Sequence, residues 1–144
     1  MTAFVLDASV TAAWLLPDAT SEHTRRLYAL IRRDEVEPQA PNLWQWECSN
    51  LISSGVHSGR IPPASVEGLW GVLEAIRHRV ELHELAPAQH KAVLDVALDT
   101  GLPTFDAAYL WLARSLRLPL ATFDAAQAAA AKRSGVPLLD ISSL

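Results

Sequence analysis

The sequence is short of cysteine and of long apolar runs, and each of these shortages excludes a class of protein. Cys48 is the only cysteine, so an internal disulfide and a zinc site built from several cysteines are both excluded. No uncharged apolar run approaches the roughly 18 residues that a membrane span requires. No basic segment precedes Asp7, whereas a secretory signal peptide would begin with one. We therefore expect a cytoplasmic protein that is not inserted in a membrane.

The balance of charge argues against a broad basic surface of the kind that coats nucleic acid. Sixteen acidic residues outnumber twelve basic ones, and the net charge is −4. Only Lys91 and Lys132 are lysines, and the other basic residues are arginines, which suit both phosphate groups and the carboxylates of a protein partner. Composition thus leaves nucleic acid open as a substrate but excludes a long, uniformly basic footprint.

Short apolar runs alternate with helical patterns along the whole chain, and no linker or long repeat divides it. Strand-like runs cover residues 3–6, 36–40, 80–85, 120–123 and 138–141. Helical patterns cover residues 9–16, 21–33, 42–57, 63–79, 87–100 and 106–116, and an alanine-rich helix follows Asp124. This order predicts one α/β domain over residues 1–144, in which about seven helices flank a mostly parallel sheet of about five strands.

Local signals refine this prediction at three places. Pro38 and Pro41 make the second strand a poor candidate for the centre of the sheet, because proline has no backbone N–H to donate. Asn42 is typical of a residue that caps the helix after it. On that helix Trp44 and Trp46 point in nearly opposite directions, so we expect only one of them in the core and the other at an interface.

Four acidic residues fall where a parallel sheet gathers its ligands, beyond the carboxyl ends of its strands. Asp7 directly follows the first strand and Asp124 the fourth, while Asp106 opens the helix before the fourth strand. Glu47 lies inside a very apolar helix, with few sequence neighbours able to pair with its charge. If the first and fourth strands are parallel neighbours, we expect these acids to stand at one edge of the sheet.

Each acid also has a structural interpretation. Aspartate is a preferred helix cap, and Asp7, Asp106 and Asp124 each precede a helix, while Glu47 is open to interpretation as a solvated residue. Taken together, however, the carboxylates would repel one another and raise one another's pKa. A Mg²⁺ or Mn²⁺ ion prefers oxygen ligands, removes that conflict and serves to hydrolyse phosphodiester bonds. Because magnesium keeps several waters, we expect some of the acids to act through water.

Four blocks of the sequence, in order and across nearly the whole chain, resemble the PIN-domain family. They are residues 4–10 (FVLDASV), 46–50 (WECSN), 105–113 (FDAAYLWLA) and 120–124 (LATFD). Within that family they are similar to the VapC-like toxins of bacterial and archaeal toxin–antitoxin pairs. The resemblance implies a PIN-like α/β fold and a metal-dependent endoribonuclease that cleaves RNA with Mg²⁺ or Mn²⁺. It also implies a homodimer and an antitoxin whose C-terminal segment covers the site.

The same resemblance implies roles for individual residues. The catalytic and metal-binding acids that it implies are Asp7, Glu47, Asp106 and Asp124. Ser9 and Thr122 fall at polar positions that support the pocket by hydrogen bonding in this family. Phe123 stands where a small residue is common, which would narrow the access of substrate.

The residues around the acids carry weaker expectations. Tyr109 and Trp111 are expected to pack against the sheet, with stacking on RNA bases as the alternative. Asp99, near the end of the preceding helix, is expected to be a surface residue.

Two other functions remain open at this point. Residues 7–11 (DASVT) faintly resemble the start of haloacid-dehalogenase-type phosphotransferases, in which Asp7 would be a nucleophile. Ser9, however, stands where those enzymes have a second aspartate, and no convincing lysine block is present. A domain of the same fold can also serve as a non-catalytic binding module, which need show neither Mn²⁺ binding nor cleavage.

Overall fold

Strands and helices alternate along the chain, and the computed structural model describes all of residues 1–144. The four strands are β1 (Thr2–Leu6), β2 (Val36–Pro41), β3 (Glu81–His83) and β4 (Leu120–Ala121). The seven α-helices are α1 (Ala8–Leu15), α2 (Glu22–Arg32), α3 (Leu43–His57), α4 (Val66–Arg77), α5 (Pro87–Thr100), α6 (Thr104–Leu116) and α7 (Ala125–Arg133). Two 3-10 turns are Pro63–Ser65 and Ile141–Ser143. The predicted α/β class and the seven helices are confirmed.

All four strands pair in parallel, in the order β3-β2-β1-β4. β1 therefore lies beside β4, and their carboxyl ends meet at the same edge. The fifth strand predicted at residues 138–141 is absent, because only Leu138 forms a bridge, to Leu120. Asp140 accepts a hydrogen bond from the backbone N–H of Ser142 and so starts a 3-10 turn that ends the extended conformation. The sheet thus has four strands rather than about five.

The prolines do not exclude β2 from the interior of the sheet, which corrects the expectation from the sequence. β2 lies between β1 and β3. Backbone N–H groups alternate between the two sides of a strand, and Asn42 donates to His83 of β3. Pro38 faces that same side, where pairing with β3 starts only at Gln39. Pro41 faces β1, whose pairing with β2 has already ended at Gln39, so neither missing N–H leaves a partner unpaired.

The core lies on both faces of this sheet. Phe4, Val5 and Leu6 of β1 have no exposed surface, as expected for a parallel strand covered by helices on both sides. On α3, Trp44 is fully buried whereas Trp46 is 75% exposed. The predicted divergence of the two tryptophans is therefore confirmed.

The predicted cap of α3 is wrong in its detail. Asn42 stands at the start of the helix, but its side chain makes no capping hydrogen bond, and its Oδ1 accepts one from the Gln45 side chain instead. The backbone of Asn42 is helical (φ −58°, ψ −28°), whereas a capping side chain needs an extended backbone. The predicted end of α5 is confirmed, because Gly101 adopts the left-handed conformation (φ 79°) that favours glycine.

None of the seven helices combines the length and the apolar character needed to cross a membrane.

Candidate active site at the carboxyl edge of the sheet

Asp7 is the most enclosed of the four acids and lies where β1 ends and α1 begins. It is only 5% exposed, and it caps α1 because Oδ2 accepts the backbone N–H of Ser9 at 3.2 Å. The same Oδ2 accepts hydrogen bonds from Ser9 Oγ at 2.5 Å and from Thr122 Oγ1 at 3.1 Å. Since all three donors converge on one oxygen, the other carboxylate oxygen, Oδ1, is left to other partners.

The two hydroxyls also connect the segment after β1 to the segment after β4. The backbone N–H of Phe123 donates to Ser9 Oγ at 2.9 Å, and that of Asp124 donates to Thr122 Oγ1 at 3.0 Å. The positions of Asp7 and Asp124 are therefore fixed relative to each other by two side chains.

Asp124 and Asp106 enter the site from the starts of two helices. Asp124 caps α7, because its Oδ1 accepts the backbone N–H of Gln127 at 2.9 Å. Asp106 does not cap α6, contrary to one interpretation of the sequence, since this helix already begins at Thr104 after Pro103. Asp106 lies instead in the first turn, where the partial positive charge of the helix N-terminus favours a carboxylate.

Glu47 reaches the site from α3, and its partner is a tyrosine rather than a cation. The Tyr109 hydroxyl donates to Glu47 Oε1 at 2.6 Å. Tyr109 is completely buried on α6. Burial and the charge of Glu47 raise the pKa of the Tyr109 hydroxyl, so it stays protonated and remains a donor.

The acids interact with one another electrostatically. Burial raises the pKa of Asp7 despite the hydrogen bonds that it accepts. Burial also raises the pKa of Glu47, and the charges of Asp7 and Asp106 raise it further. The pKa of Asp106 is raised by burial and then by the charges of Asp7 and Asp124. None of the four acids forms an ion pair, so their negative charge is not compensated within the chain.

The donor set suits a hard, hydrated cation. No three His, Cys, Asp or Glu side chains converge tightly enough to hold an ion by direct contacts alone. All of the available donors are oxygens, and Glu47 Oε2, Asp124 Oδ2 and both Asp106 oxygens accept no hydrogen bond from the protein. Mg²⁺ is usually held by one or two carboxylates and several waters, whereas a zinc site needs three or four closely set side chains. The residues present therefore fit Mg²⁺ or Mn²⁺.

Two residues have roles here that sequence reasoning missed. Tyr109 packs in the core as expected, but its hydroxyl also binds Glu47. Its spacing of three residues from Asp106, on one face of α6, is the available signal. Gln127 is fully buried, and its Nε2 donates to the backbone carbonyl of Asp106 at 3.0 Å. As the one uncharged polar residue in the alanine-rich helix α7, three residues after Asp124, it could have been singled out.

The remaining predicted residues lie around the site or away from it. Phe123 is 55% exposed in the segment between Thr122 and Asp124. Asp99 is exposed near the end of α5, as expected of a surface residue, and Trp111 is partly buried against the core.

Comparison with known proteins supports the fold. No family model and no curated protein matches the sequence. The crystal structure of PAE2754 from Pyrobaculum aerophilum matches with a TM-score of 0.71 over 99% of this chain and 91% of that chain, at 20% identity. The crystal structure of FitAcB from Neisseria gonorrhoeae matches with a TM-score of 0.57 over 98% of this chain and 99% of that chain, at 16% identity. At these identities the likeness concerns the fold alone, and it confirms that this chain has the PIN-like α/β fold expected from its four sequence blocks.

Proposed function

We propose that this chain is a metal-dependent endoribonuclease that hydrolyses phosphodiester bonds in RNA, and that it acts in the cytoplasm as the toxin of a toxin–antitoxin pair. The observation that carries the proposal is the meeting of Asp7, Glu47, Asp106 and Asp124 at one edge of the sheet without a compensating cation. Helix capping accounts for Asp7 and Asp124 only. It gives no reason for the two other carboxylates, whose pKa values are raised by burial and, to a smaller extent, by the charges of neighbouring acids.

The proposed roles follow from the oxygens that each acid keeps free. Asp7, Asp106 and Asp124 hold Mg²⁺ or Mn²⁺ directly or through water, and Glu47 is a further ligand or orients a water for attack on the phosphate. The bound ion supplies positive charge for the phosphate and lowers the pKa of the attacking water. Ser9 and Thr122 support the site by holding Asp7 through Oδ2, which leaves Oδ1 for the ion.

Tyr109 supports Glu47 in the same way as Ser9 and Thr122 support Asp7, through a hydrogen bond to one carboxylate oxygen. By donating to Oε1 it fixes the carboxylate on α3 and leaves Oε2 to face its ligand or water. A tyrosine suits this place better than a lysine or arginine, because it orients Glu47 without cancelling the negative charge that a divalent cation needs.

The proposed partners are RNA as substrate, an antitoxin protein and a second copy of this chain. The likeness to FitAcB supports the antitoxin. The homodimer is proposed from the resemblance of the four sequence blocks to VapC-like toxins.

Cleavage of a mixed RNA substrate by the purified protein tests the proposal. The reaction contains Mg²⁺ or Mn²⁺ and is repeated with EDTA and with the Asp7→Asn variant, in which asparagine can still cap α1. Asp95→Asn is the matched control, because Asp95 is exposed on α5 and pairs only with Lys91 at the surface. We expect cleavage by the wild type and by Asp95→Asn, and its loss in EDTA and in Asp7→Asn.

The other outcomes distinguish the alternatives. Cleavage that survives EDTA or Asp7→Asn would contradict the proposed site and point to another mechanism or a contaminant. A folded protein that binds Mn²⁺ without cleaving would indicate a narrow choice of RNA. A folded protein that neither cleaves nor gains thermal stability from Mn²⁺ would favour the non-catalytic binding module.

A further inference from the structure

Gln127 carries a polar atom that forms no hydrogen bond within the protein. Its side chain has no exposed surface, and its Oε1 is the only fully buried side-chain nitrogen or oxygen in the chain without a hydrogen-bond partner. A buried carbonyl oxygen without a donor destabilises the fold, and proteins rarely tolerate one. We therefore look for a hydrogen-bond donor to this oxygen that does not belong to the chain.

The local structure shows why this oxygen is unused. Gln127 is the third residue of α7, a position from which a glutamine side chain commonly accepts the backbone N–H of the capping residue. Here the backbone N–H of the cap, Asp124, donates to Thr122 Oγ1 instead. Thr122 has thus taken the donor that would have satisfied Gln127 Oε1.

The amide of Gln127 lies among the acids. Its Nε2 donates to the backbone carbonyl of Asp106, and its backbone N–H donates to Asp124 Oδ1. The side-chain amide also acts on Asp7, where it opposes the effect of burial on the carboxyl pKa. One residue thus touches or influences three of the four acids, from a place closed to bulk solvent.

We propose that Gln127 is a positioning residue of the cation site, and that its free Oε1 accepts a hydrogen bond from a water of the hydrated Mg²⁺ or Mn²⁺. This inference rests on the metal-binding part of the proposed function. A neutral amide oxygen holds such a water without adding a further negative charge to a site that already has four. At the same time its Nε2 fixes the first turn of α6, from which Asp106 projects.

Two substitutions at one position separate this role from a structural one. Gln127→Met keeps the length of the side chain and removes both polar groups, and Gln127→Glu keeps an acceptor oxygen but removes the amide donor. Both variants lose the hydrogen bond to Asp106, so a merely structural role predicts that both weaken Mn²⁺ binding. Our proposal predicts opposite signs: weaker binding in Gln127→Met, by about 10–100-fold as is usual for outer ligands of metal sites, and tighter binding in Gln127→Glu.

The measurement is the affinity for Mn²⁺ alone, from the rise in melting temperature over a series of MnCl₂ concentrations without RNA. Gln39→Met is the matched control, since Gln39 is a partly buried glutamine on β2 whose side chain binds His83. Gln127→Met with wild-type affinity would overturn the inference and leave the proposed function standing. Wild-type protein that shows no response to Mn²⁺ would instead overturn the metal site itself. If Gln127→Met does not fold, unchanged or weaker Mn²⁺ binding in Gln127→Glu overturns the inference alone.

Discussion

Replacing Tyr109 by phenylalanine tests how the fold stabilises a carboxylate that has no cation beside it. The ring of Tyr109 is fully buried, and phenylalanine retains its packing. The substitution removes only the hydroxyl, which donates to Glu47 Oε1 at 2.6 Å. The loss of stability therefore reports the hydrogen bond to Glu47.

The expected magnitude follows from the charge of the acceptor. A hydrogen bond to a charged group contributes about 1.5–3 kcal/mol, and Glu47 is half-buried, so water replaces part of the lost contact. We expect the free energy of unfolding to fall by about 2 kcal/mol at pH 7. For a chain of this length that is a decrease of about 4–8 °C in melting temperature.

The loss of stability in Tyr109→Phe must be larger at high pH than at low pH. The hydrogen bond from Tyr109 lowers the pKa of Glu47, against the larger effect of burial, so its removal raises that pKa further. The loss is greatest above the pKa of Glu47, where the carboxylate is charged. It shrinks as the pH falls through that pKa, because a protonated Glu47 depends less on a donor.

Urea unfolding, followed by tryptophan fluorescence at pH 7 and at acidic pH, measures the loss. Tyr28→Phe is the control, since Tyr28 is the only other tyrosine and its hydroxyl makes no hydrogen bond within the chain. We expect this control to change stability by less than about 0.5 kcal/mol. If Tyr109→Phe is as harmless as Tyr28→Phe at pH 7, or if its cost does not shrink in acid, our account of Glu47 is wrong.

Two further predictions concern the stability lost by burying the charge of Asp7 and the packing of α3. In metal-free protein Asp7→Asn should raise the melting temperature at pH 7, because the pKa of Asp7 is raised above 3.8 on folding and its charge therefore destabilises the folded state. This gain in melting temperature should fade as the pH falls towards 3.8, and a lower melting temperature of the variant at pH 7 would refute the prediction. Gly55→Ala should destabilise by about 1–3 kcal/mol, because a Cβ there would overlap Ile61 Cδ1 and lie 2.9 Å from Cγ1. Gly68→Ala, in the open on α4, should instead stabilise by up to about 1 kcal/mol, and equal effects in chemical unfolding would contradict the clash.

The prediction of helices and strands from periodicity was correct where an element is long and wrong where an element is short. α5 runs from Pro87 to Thr100 as expected, because both of its ends carry sequence signals. The predicted strand at residues 138–141 was wrong because three apolar residues and an aspartate cannot show whether a paired neighbour exists. β4 spans only Leu120–Ala121 and offers that segment a single bridge.

The order of the strands in the sheet also could not be predicted from the sequence. Pro38 and Pro41 indicate correctly that two N–H groups are missing from β2, but not that both would point to places without a partner. That depends on the register between strands and on the late start of β3, which no local pattern encodes.

The acidic residues of the site could be predicted from the sequence, but the side chains that hydrogen-bond to them and fix their positions could not. Asp7 and Asp124 follow their strands in the sequence, so their common edge follows from parallel pairing. The contact between Glu47 and Tyr109 joins residues from α3 and α6 that are 62 positions apart. Gln127 was missed because its Nε2 donates to the backbone carbonyl of Asp106 on a different helix, 21 positions earlier in the chain.

Helix caps and one tyrosine explain how carboxylates that repel one another can be fixed in one place within the chain alone. Asp7 and Asp124 each give one oxygen to the start of a helix, and Glu47 gives one oxygen to Tyr109. For Asp7 and Glu47 these contacts stabilise the charged form of the acid and so offset part of the cost of burial. Each also uses a single oxygen, so that the second oxygen stays available. The fold thus orients these acids through the same hydrogen bonds that stabilise them, and the charge that remains is what a divalent cation would neutralise.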